Sequence, residues 1–481
     1  MIISFLSPPA GEIVRLLSMK FQVGYDFTLP SKTGGSVNAR PLRRAGRALP
    51  NVERCVWPSP KFAREGEGTG AASAFPSLLN SMAALVLWVV LGAASTALAN
   101  PLNDLQVAID QQKNLAEIEG MPFASTALTR EQSERAGEML WRYHASRIRR
   151  EHAAEMQSKK IVIGENAMRF DYTIFGEPPA NGRSLYLSMH GGGGTAPAVN
   201  DSQWNNQKRL YRLAEGVYVA PRAPTDTWNL WHQAHIDELF DRLIENMIVF
   251  ENVDPDRVYI MGYSAGGDGV YQLAPRMADR WAAAAMMAGH PNETSALGLR
   301  NIGFTLHMGE KDASYDRNKI AGQWKEKLGE LRRGDPEGYP HHVEIHRGKG
   351  HWMDRQDAVA IEWMAKFTRN VRPERIVWKQ DDVRHDRFYW LAIDESETTD
   401  RALVIASRDG QRIEIETNDL NEVIIRFDDS MVDMDQPILV RSDGETRFEG
   451  RVSRTIRTLA KTLDERGDQR AMFSGEVAVS L

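Results

Sequence analysis

The stretch Arg257–Met277, RVYIMGYSAGGDGVYQLAPRM, decides the fold of this chain. An apolar run leads into Gly262-Tyr263-Ser264-Ala265-Gly266-Gly267, and apolar residues at helical spacing follow. A strand, a serine between glycines and a helix, in that order, are typical of a G-x-S-x-G nucleophile elbow. Such a turn is strained and crowded, so Gly262 and Gly266 fit because they carry no side chain. The five residues alone are also compatible with a glycine-rich turn around a buried serine.

Strands and helices alternate on both sides of this stretch. The alternation predicts an α/β fold with a mostly parallel, doubly wound sheet covered on both faces. Before it, Ile161–Ile163 and the strictly alternating Met168–Ile174 predict antiparallel strands at a sheet edge. The predicted strands of the parallel part are Leu185–Met189, Val217–Ala220, Val258–Met261, Ala282–Ala288, Phe304–Met308 and Val343–Ile345, and the predicted helices are Ile236–Phe250, Asn318–Leu331 and Gln356–Phe367.

Segments of different composition flank this α/β domain, which is predicted to span residues 160–371. Residues 100–159 predict an N-terminal helical segment, in which Thr129-Arg130-Glu131-Gln132 fits a capping box. Residues 372–481 predict a small all-β domain, a sandwich, because short apolar runs alternate with Asp, Asn and Gly turns. Its predicted strands are Ile376–Trp378, Phe388–Ile393, Ala402–Ile405, Ile413–Ile415, Val423–Phe427 and Ile438–Val440, with a helix at Thr455–Asp464.

The front of the chain differs from the rest. Residues 1–81 hold ten Lys or Arg against five Asp or Glu and show no sustained period, so we interpret them as a disordered or mis-annotated prefix. Residues 82–99 combine an apolar run with Ala97-Leu98-Ala99, the A-x-A pattern of a signal peptide. This predicts a secreted or periplasmic protein without a membrane span after cleavage; the alternative is an N-terminal membrane anchor. The single cysteine, Cys55, lies in the prefix, so neither a disulfide nor a cysteine nucleophile is expected.

Charge and motif content exclude several classes of function. The 481 residues carry a net charge of −6, so we expect no basic face for nucleic acid. The glycine run His190-Gly191-Gly192-Gly193-Gly194 is not followed by the Lys-Ser/Thr pair of a phosphate-binding loop. His232 and His235 lack carboxylates at the spacing of a zinc site. The sequence therefore predicts neither a metal nor an organic cofactor.

A serine nucleophile needs a base within hydrogen-bond reach and a carboxylate that orients the base. On a sheet of this kind the three follow in the order serine, acid and histidine, from loops at the carboxyl ends of strands. Asp312 follows one predicted strand and His351 follows the last, so Ser264, Asp312 and His351 are the predicted triad. The rival acids are Glu310 and Asp316, and the remaining histidines of this region are expected to be structural or surface residues: His341 and His342 before the last strand, and His346 in it.

An oxyanion hole needs two backbone donors. The N–H of Ala265 at a helix N-terminus is one, and Gly191 or Gly192 in the loop after an early strand is expected to supply the other. Asp268, on the helix after Ser264, is expected to cap or face solvent. Substrate contacts are predicted at Trp228, Trp231, His290 and Trp352, with packing between loop and helix as the alternative for Trp228 and Trp231.

These motifs together resemble the α/β-hydrolase superfamily. HGGGG, GYSAGG, GEKD and GKGHW occur in the order and context that bacterial secreted esterases of the polyhydroxybutyrate-depolymerase and feruloyl-esterase kind show, and the resemblance covers about residues 161–371. The resemblance implies a Ser264, Asp312 and His351 triad that hydrolyses a small-molecule or polymeric ester. Members of that group often carry disulfides, whereas residues 100–481 contain no cysteine.

Two other functions are compatible with the sequence. A serine peptidase of the prolyl-oligopeptidase type uses the same triad, although its extra domain is expected in front of the catalytic domain and not behind it. A non-catalytic binding protein on a hydrolase scaffold would use the C-terminal β domain to engage a polymer or a cell surface. The complete set of triad residues favours an enzyme over the binding protein.

Overall fold

A mostly parallel β-sheet lies at the centre of the computed structural model, which describes residues 100–417 and 419–481. Its strands are β1 (Lys160–Ile163), β2 (Asn166–Phe175), β3 (Arg183–Met189), β4 (Gly216–Arg222), β5 (Val253–Tyr263), β6 (Ala283–Met287), β7 (Gly303–Gly309) and β8 (His341–His346). Within the described residues, these eight strands have the order β1-β2-β4-β3-β5-β6-β7-β8. β3 to β8 pair in parallel, whereas β1 and β2 form the antiparallel edge that the alternating sequence predicted.

Helices cover the sheet and also precede and follow it. They are α1 (Pro101–Asp110), α2 (Leu115–Glu119), α3 (Arg130–Glu151), α4 (Ala153–Ser158), α5 (Pro197–Gln207), α6 (His235–Glu251), α7 (Ala265–Arg276), α8 (Arg317–Gly334), α9 (Val359–Met364) and α10 (Ile456–Arg466). Short 3₁₀ turns occupy Pro122–Ser125, Ala278–Arg280, Leu297–Asn301, Ser314–Asp316, Gln356–Ala358, Glu395–Glu397 and Gln469–Ala471. The pattern did not predict α5, because its few apolar residues form no single stripe.

The two faces of the sheet carry separate buried clusters. On β5, Val258 and Ile260 belong to the cluster that includes α6 and α7, while Tyr259 and Met261 belong to the cluster that includes α9. Successive side chains of a strand point to opposite faces, so a strand that is covered on both sides is apolar at every position. This double burial is the reason that the strand before Ser264 reads as a continuous apolar run.

Two boundaries at the end of the sheet differ from the sequence expectation. β8 begins at His341, so His341 and His342 lie inside the last strand and not before it. The segment Gln356–Phe367, predicted as one helix, forms a 3₁₀ turn followed by the shorter α9, and Phe367 lies beyond the end of α9. The first change matters for function, since it places three histidines of β8 within one strand.

The C-terminal region is built of β-strands, as its turn-rich composition predicted. Its strands are β9 (Arg375–Lys379), β10 (Arg387–Phe388), β11 (Leu391–Ala392), β12 (Leu403–Asp409), β13 (Arg412–Glu416), β14 (Glu422–Phe427), β15 (Ile438–Ser442), β16 (Glu445–Gly450) and β17 (Gly475–Ser480). Among the described residues they form sheets of order β10-β11-β14-β17 and β16-β15-β13-β12-β9. β16 and β17 were not predicted: β16 is largely polar, and the apolar run of β17 is only Val477-Ala478-Val479. The predicted helix is present as α10.

The N-terminal helices pack on α10. Leu115 and Leu140 share a buried cluster with Leu459 and Leu463, so apolar surface from the two ends of the described chain is removed from water together. α3 begins with the predicted capping box, in which Thr129 and Gln132 cap each other's backbone N–H.

The limits of the described region bear on three predictions. The prefix 1–81 and the signal peptide 82–99 lie outside the described residues, and the domain boundaries near residues 160 and 372 stay predictions. In residues 100–417 and 419–481, no helix combines the length and the hydropathy that crossing a bilayer requires.

Candidate active site

Ser264 lies in a strained turn between β5 and α7. Its backbone has φ +58° and ψ −122°, a region that side-chain-bearing residues rarely adopt. A Cβ added at Gly262 would lie 2.2 Å from the carbonyl oxygen of Gly266, and one added at Gly266 would lie 2.2 Å from that of Met189. Any side chain at either position would collide with the backbone, which is why both residues are glycine, as the sequence predicted.

Ser264, His351 and Asp312 are joined by hydrogen bonds. The Nε2 atom of His351 lies 3.0 Å from Oγ of Ser264, and its Nδ1 atom lies 2.7 Å from Oδ2 of Asp312. Asp312 is buried, whereas the His351 side chain is 44% exposed. The structure does not bring the rival acids to the imidazole: Glu310 accepts the N–H of Gly348 at 2.7 Å, and Asp316 pairs with Lys319 at 2.7 Å.

The loops that carry Asp312 and His351 are packed against each other. The N–H of Lys311 donates to the carbonyl of Lys349 at 2.7 Å. A Cβ on Gly309 would lie 2.0 Å from the carbonyl oxygen of Gly350, so the two backbones touch. This contact fixes the distance between the acid and the imidazole, because neither loop can move without the other.

Tyr263 holds the histidine loop from below. Its hydroxyl donates to the carbonyl of His351 at 2.6 Å and accepts the N–H of Met353 at 3.1 Å. Burial raises the pKa of Tyr263, so the phenol stays protonated and can donate. Tyr263 was not among the predicted site residues, although it directly precedes Ser264.

Gly191 brings a backbone N–H close to the nucleophile. A Cβ on Gly191 would lie 3.1 Å from Cβ of Ser264. Among the described residues, no acceptor is hydrogen-bonded to the N–H of Gly191 or of Gly192, whereas Gly193 donates to Oδ1 of Asn200 at 2.9 Å. The N–H of Ala265 belongs to the first turn of α7, which has no intrahelical acceptor for it. Three free donors thus lie in the segments next to Ser264.

His190 and Trp231 brace the glycine loop. Nδ1–H of His190 donates to the carbonyl of Gly191 at 2.6 Å, and Nε2 accepts the N–H of Ala223 at 3.2 Å. Burial lowers the pKa of His190 to about 4, which keeps the ring neutral and able to make both bonds. Nε1–H of Trp231 donates to the carbonyl of His190 at 2.9 Å, and Trp231 is fully buried. Trp231 therefore positions the loop from the core side.

A cleft of about 730 Å³ opens in front of Ser264. It is lined by Gly191, Gly192, Val199, Gln203, Asn206, Gln207, Arg209, Leu210, Tyr263, Ser264, His351, Trp352 and Arg355. Trp352 is the predicted substrate contact that this lining includes. Trp228 lies outside it, 66% exposed and edge-on to His232, and so does His290, whose Nδ1 accepts the N–H of Asn292 at 2.9 Å.

The cleft lining is cationic. Arg209 and Arg355 contribute to it, and the lining contains no Asp or Glu. Within residues 100–417 and 419–481, neither arginine has a carboxylate within ion-pair distance. A cleft with unpaired positive charge attracts anionic ligands, although exposure to solvent weakens the effect.

Asp268 is a half-buried carboxylate behind the site. Its Oδ1 accepts the N–H of His290 at 2.6 Å. Burial raises the pKa of Asp268 to about 6, against the opposing positive potential of Arg317 and His351. The sequence favoured a capping or solvent-facing role for this residue, and in the structure its partly exposed side chain binds the backbone of the loop after β6.

Known proteins resemble the part of the chain that contains this arrangement. Residues 218–362, which include Ser264, Asp312 and His351, match the dienelactone hydrolase family. A feruloyl esterase B of Neurospora crassa is 27% identical, over 31% of this chain and 57% of the relative. The chain thus spans little more than half the length of that curated relative.

Two esterases are among the solved structures to which the chain shows similarity. A thermostable esterase is 17% identical with a TM-score of 0.35, over 44% of this chain and 62% of that one. A ferulic acid esterase is 15% identical with a TM-score of 0.29, over 43% and 95%. The sheet order and the serine turn after β5 show that this chain has the α/β-hydrolase fold, within which residues 218–362 match the dienelactone hydrolase family.

Proposed function

We propose that this chain is a serine hydrolase that cleaves carboxylic esters through an acyl-enzyme. The observation that carries the proposal is the hydrogen-bonded series Ser264, His351 and Asp312 at the mouth of a cleft, with spacings of 3.0 and 2.7 Å. The family match and the feruloyl esterase relative support an ester substrate. The cleft size is in the range of small-molecule sites.

In the first step, Oγ of Ser264 attacks the ester carbonyl carbon while Nε2 of His351 takes its proton. The new C–O bond forms as the carbonyl π electrons move to oxygen, giving an oxyanion. Asp312 accepts Nδ1–H, so it holds the ring in the tautomer whose Nε2 is free and stabilises the imidazolium. The C–O bond to the alcohol then breaks, and the alcohol leaves with the proton from His351.

The oxyanion is stabilised by backbone N–H groups. Ala265 supplies one donor, and Gly191 or Gly192 supplies the second, since Gly193 is already bonded to Asn200. Each such donor is worth roughly 10²–10³ in rate, because it is aimed in advance at charge that develops only in the transition state. The brace of His190 and Trp231 keeps the glycine loop in this position.

Water completes the cycle. Nε2 of His351 removes a proton from water, the hydroxide oxygen attacks the acyl carbon, and the acid leaves as the Ser264 Oγ–C bond breaks. Ser264 regains its proton from His351, which restores the starting state. All of these steps use side chains and backbone groups that the chain supplies.

The cleft indicates which ester to test first. Tyr263 and Trp352 offer aromatic surface beside Ser264, which suits an aromatic acyl group, and the relative is named a feruloyl esterase. We therefore take methyl esters of hydroxycinnamic acids as the first small-molecule substrates, with polymer-linked esters after them. Export through residues 82–99 is part of the proposal, and N-terminal sequencing of protein from the culture medium or periplasm tests it.

The test is labelling of the purified protein with a fluorophosphonate probe, together with ester hydrolysis. Wild type is expected to take up one label and Ser264→Ala none. Ser202→Ala, which removes an exposed serine on α5, is the matched control and should label like wild type. A folded wild-type protein without label would contradict the proposal and favour the non-catalytic binding protein.

A second comparison separates esterase from peptidase. An ester and an anilide of the same acyl group differ only in the leaving group, so their kcat/KM ratio reports leaving-group preference. An esterase is expected to cleave the ester and leave the anilide nearly intact. Efficient cleavage of proline-containing peptides would instead favour a prolyl-oligopeptidase-like activity.

A further inference from the structure

Four side chains with metal-binding chemistry meet at the β8 edge of the sheet. His342, Glu344 and His346 alternate along β8 and so project from one face of the strand, while Val343 and Ile345 pack in the core on the other. On the neighbouring strand, His307 is directly opposite Glu344 in the parallel register. None of the four lines the cleft at Ser264.

The two histidine nitrogens are spaced much as ligands around one ion are, and Glu344 lies within reach of them, with its Oε1 3.7 Å from Nδ1 of His346. Nδ1 of His307 and Nε2 of His346 are 3.1 Å apart. One ligand atom from each of His307, Glu344 and His346 lies within 4.8 Å of the other two. With zinc–nitrogen bonds of about 2.0–2.1 Å in a tetrahedral site, two ligand nitrogens are about 3.3 Å apart. The histidine pair is thus within a few tenths of an ångström of that geometry.

Two of the four side chains are buried and therefore held in place, whereas the other two are partly exposed to solvent. His307 is fully buried and His346 nearly so. The side chains of His342 and Glu344 are each 45% exposed, and Nε2 of His342 lies 3.6 Å from Oε2 of Glu344. An ion can therefore reach the cluster from the Glu344 side without opening the core.

Thr305 supplies the outer hydrogen bond that a metal-bound imidazole needs. Its Oγ is 2.9 Å from Nε2 of His307. With a metal ion on Nδ1, Nε2–H would donate to this hydroxyl and fix the tautomer, as outer partners of metal-ligating histidines do. Without metal, the hydroxyl donates to Nε2 and Nδ1–H donates to His346, because a threonine hydroxyl can play either role.

We propose that His307, Glu344 and His346, with His342 at the exposed rim, bind one divalent zinc-class ion. Imidazole and carboxylate ligands in this ratio suit zinc and other divalent first-row transition metals that bind such sites. The site goes beyond the proposed esterase activity and is separate from it.

The expected role of this ion is structural. The carbonyl of His346 accepts the N–H of Glu310 at 3.1 Å and that of Lys349 at 3.2 Å. These residues begin the loops that carry the acid and the histidine of the candidate active site. An ion held by His346 therefore links β7 and β8 where both loops start.

The experiment uses the untagged full-length protein and zinc alone. Zinc affinity is measured by competition with a chromophoric chelator, and thermal unfolding is followed with and without zinc. We expect one zinc ion per chain with a Kd below about 1 μM, and a higher Tm when zinc is present. Co²⁺ should give the intense visible absorption of a tetrahedral site.

Variants locate the ion. Glu344→Gln changes an exposed group and should weaken affinity at least tenfold without unfolding the protein, and His346→Gln should abolish tight binding. His341→Gln, which removes a histidine on the opposite face of β8, is the matched control and should bind as wild type does. His351→Gln and Cys55→Ser should also bind normally, because neither residue belongs to the cluster.

Two outcomes would overturn the inference. Zinc affinity weaker than about 100 μM would mean that the histidines form only a hydrogen-bonded pair. Tight binding that survives Glu344→Gln and His346→Gln, but is lost in His351→Gln or Cys55→Ser, would place the ion elsewhere. None of these readouts depends on ester hydrolysis, so the metal site and the proposed activity fail separately.

Discussion

Two series of hydroxyl and imidazole groups include residues from β7, from β8 or from the loops that follow these strands. In one, Ser264 is hydrogen-bonded to His351 and His351 to Asp312. In the other, Thr305 is hydrogen-bonded to His307, whose second nitrogen meets His346. The spacings are nearly the same, from 2.7 to 3.1 Å, so hydrogen-bond distance does not distinguish a nucleophile from a structural hydroxyl.

The surroundings of the two series distinguish them. Thr305 and His307 are fully buried, and burial lowers the pKa of His307 to about 3, so this ring cannot take up a proton near neutral pH. His351 is exposed to the cleft and faces a carboxylate on its far side. A hydroxyl becomes a nucleophile where the base can be charged and the substrate can approach.

The largest effect is expected from Asp312, because His351 has this carboxylate on its second nitrogen where His307 has the imidazole of His346. Asp312→Asn keeps the shape but favours the wrong tautomer of His351, so kcat should fall by about 10⁴-fold. Thr305→Val removes the hydroxyl of the second series and should change kcat by less than about threefold. Both are measured by steady-state ester hydrolysis, with a chelator present so that metal binding does not contribute. Equal losses would break the distinction between the series.

The sequence predicted the first series well and the second not at all. Gly262, Gly266 and the strand before them encode the serine turn locally, within a few residues. The histidine cluster depends on the register that sets His307 beside Glu344, two residues far apart along the chain. No local pattern contains that register. The only signal was the alternation of His342, Glu344 and His346. The predicted strand began too late to include His342, so this alternation was not recognised.

The strained turn under Ser264 gives a second contrast, in stability. Gly266→Ala would place a Cβ 2.2 Å from a backbone carbonyl and should destabilise the fold by about 3 kcal/mol, the upper end of the usual cost of overpacking. Gly322→Ala, in α8 with no atom within 4 Å of the new Cβ, should stabilise it by about 0.5–1 kcal/mol. Urea unfolding followed by circular dichroism measures both. A neutral Gly266→Ala would mean that the turn has room to relax.

Asp268 gives the first series a pH-dependent neighbour. Because burial raises its pKa from 3.8 to about 6, the folded state binds this proton more tightly than the unfolded chain does. Its stabilising contribution is therefore complete below about pH 4 and is lost as the pH rises through about 6. Asp268→Asn removes the titration but keeps an oxygen for the N–H of His290.

The measurement for Asp268 is the free energy of unfolding of both proteins from pH 4 to pH 7.5. The variant should gain stability relative to wild type as the pH rises, by on the order of 2 kcal/mol across this range. Comparing the two proteins cancels the other titrating groups. A pH-independent difference would show that Asp268 has the same pKa in the folded and unfolded protein.

The directions in which the tryptophan rings near the site point could not be predicted from the sequence. The loop after β4 was correctly recognised as aromatic, yet Trp231 points into the core and Trp228 into solvent. Which side of a loop a ring faces depends on the elements packed against it, here α6, α7 and the glycine loop. Trp352 lines the cleft because the loop after β8 turns back over Ser264, a path set by the contact between Gly309 and Gly350.

The smallest effect is expected from a change in the cleft through which substrate reaches Ser264. Trp352→Ala removes aromatic surface from the cleft and should raise KM for an aromatic ester about five- to tenfold with little change in kcat, because the ring binds ground state and transition state alike. Trp228→Ala is the matched control, since that ring is exposed but outside the cleft, and it should leave KM within about twofold. If Trp228→Ala had the larger effect, the substrate would lie over the loop after β4. Substrate would then reach Ser264, but not Thr305, from the side of that loop.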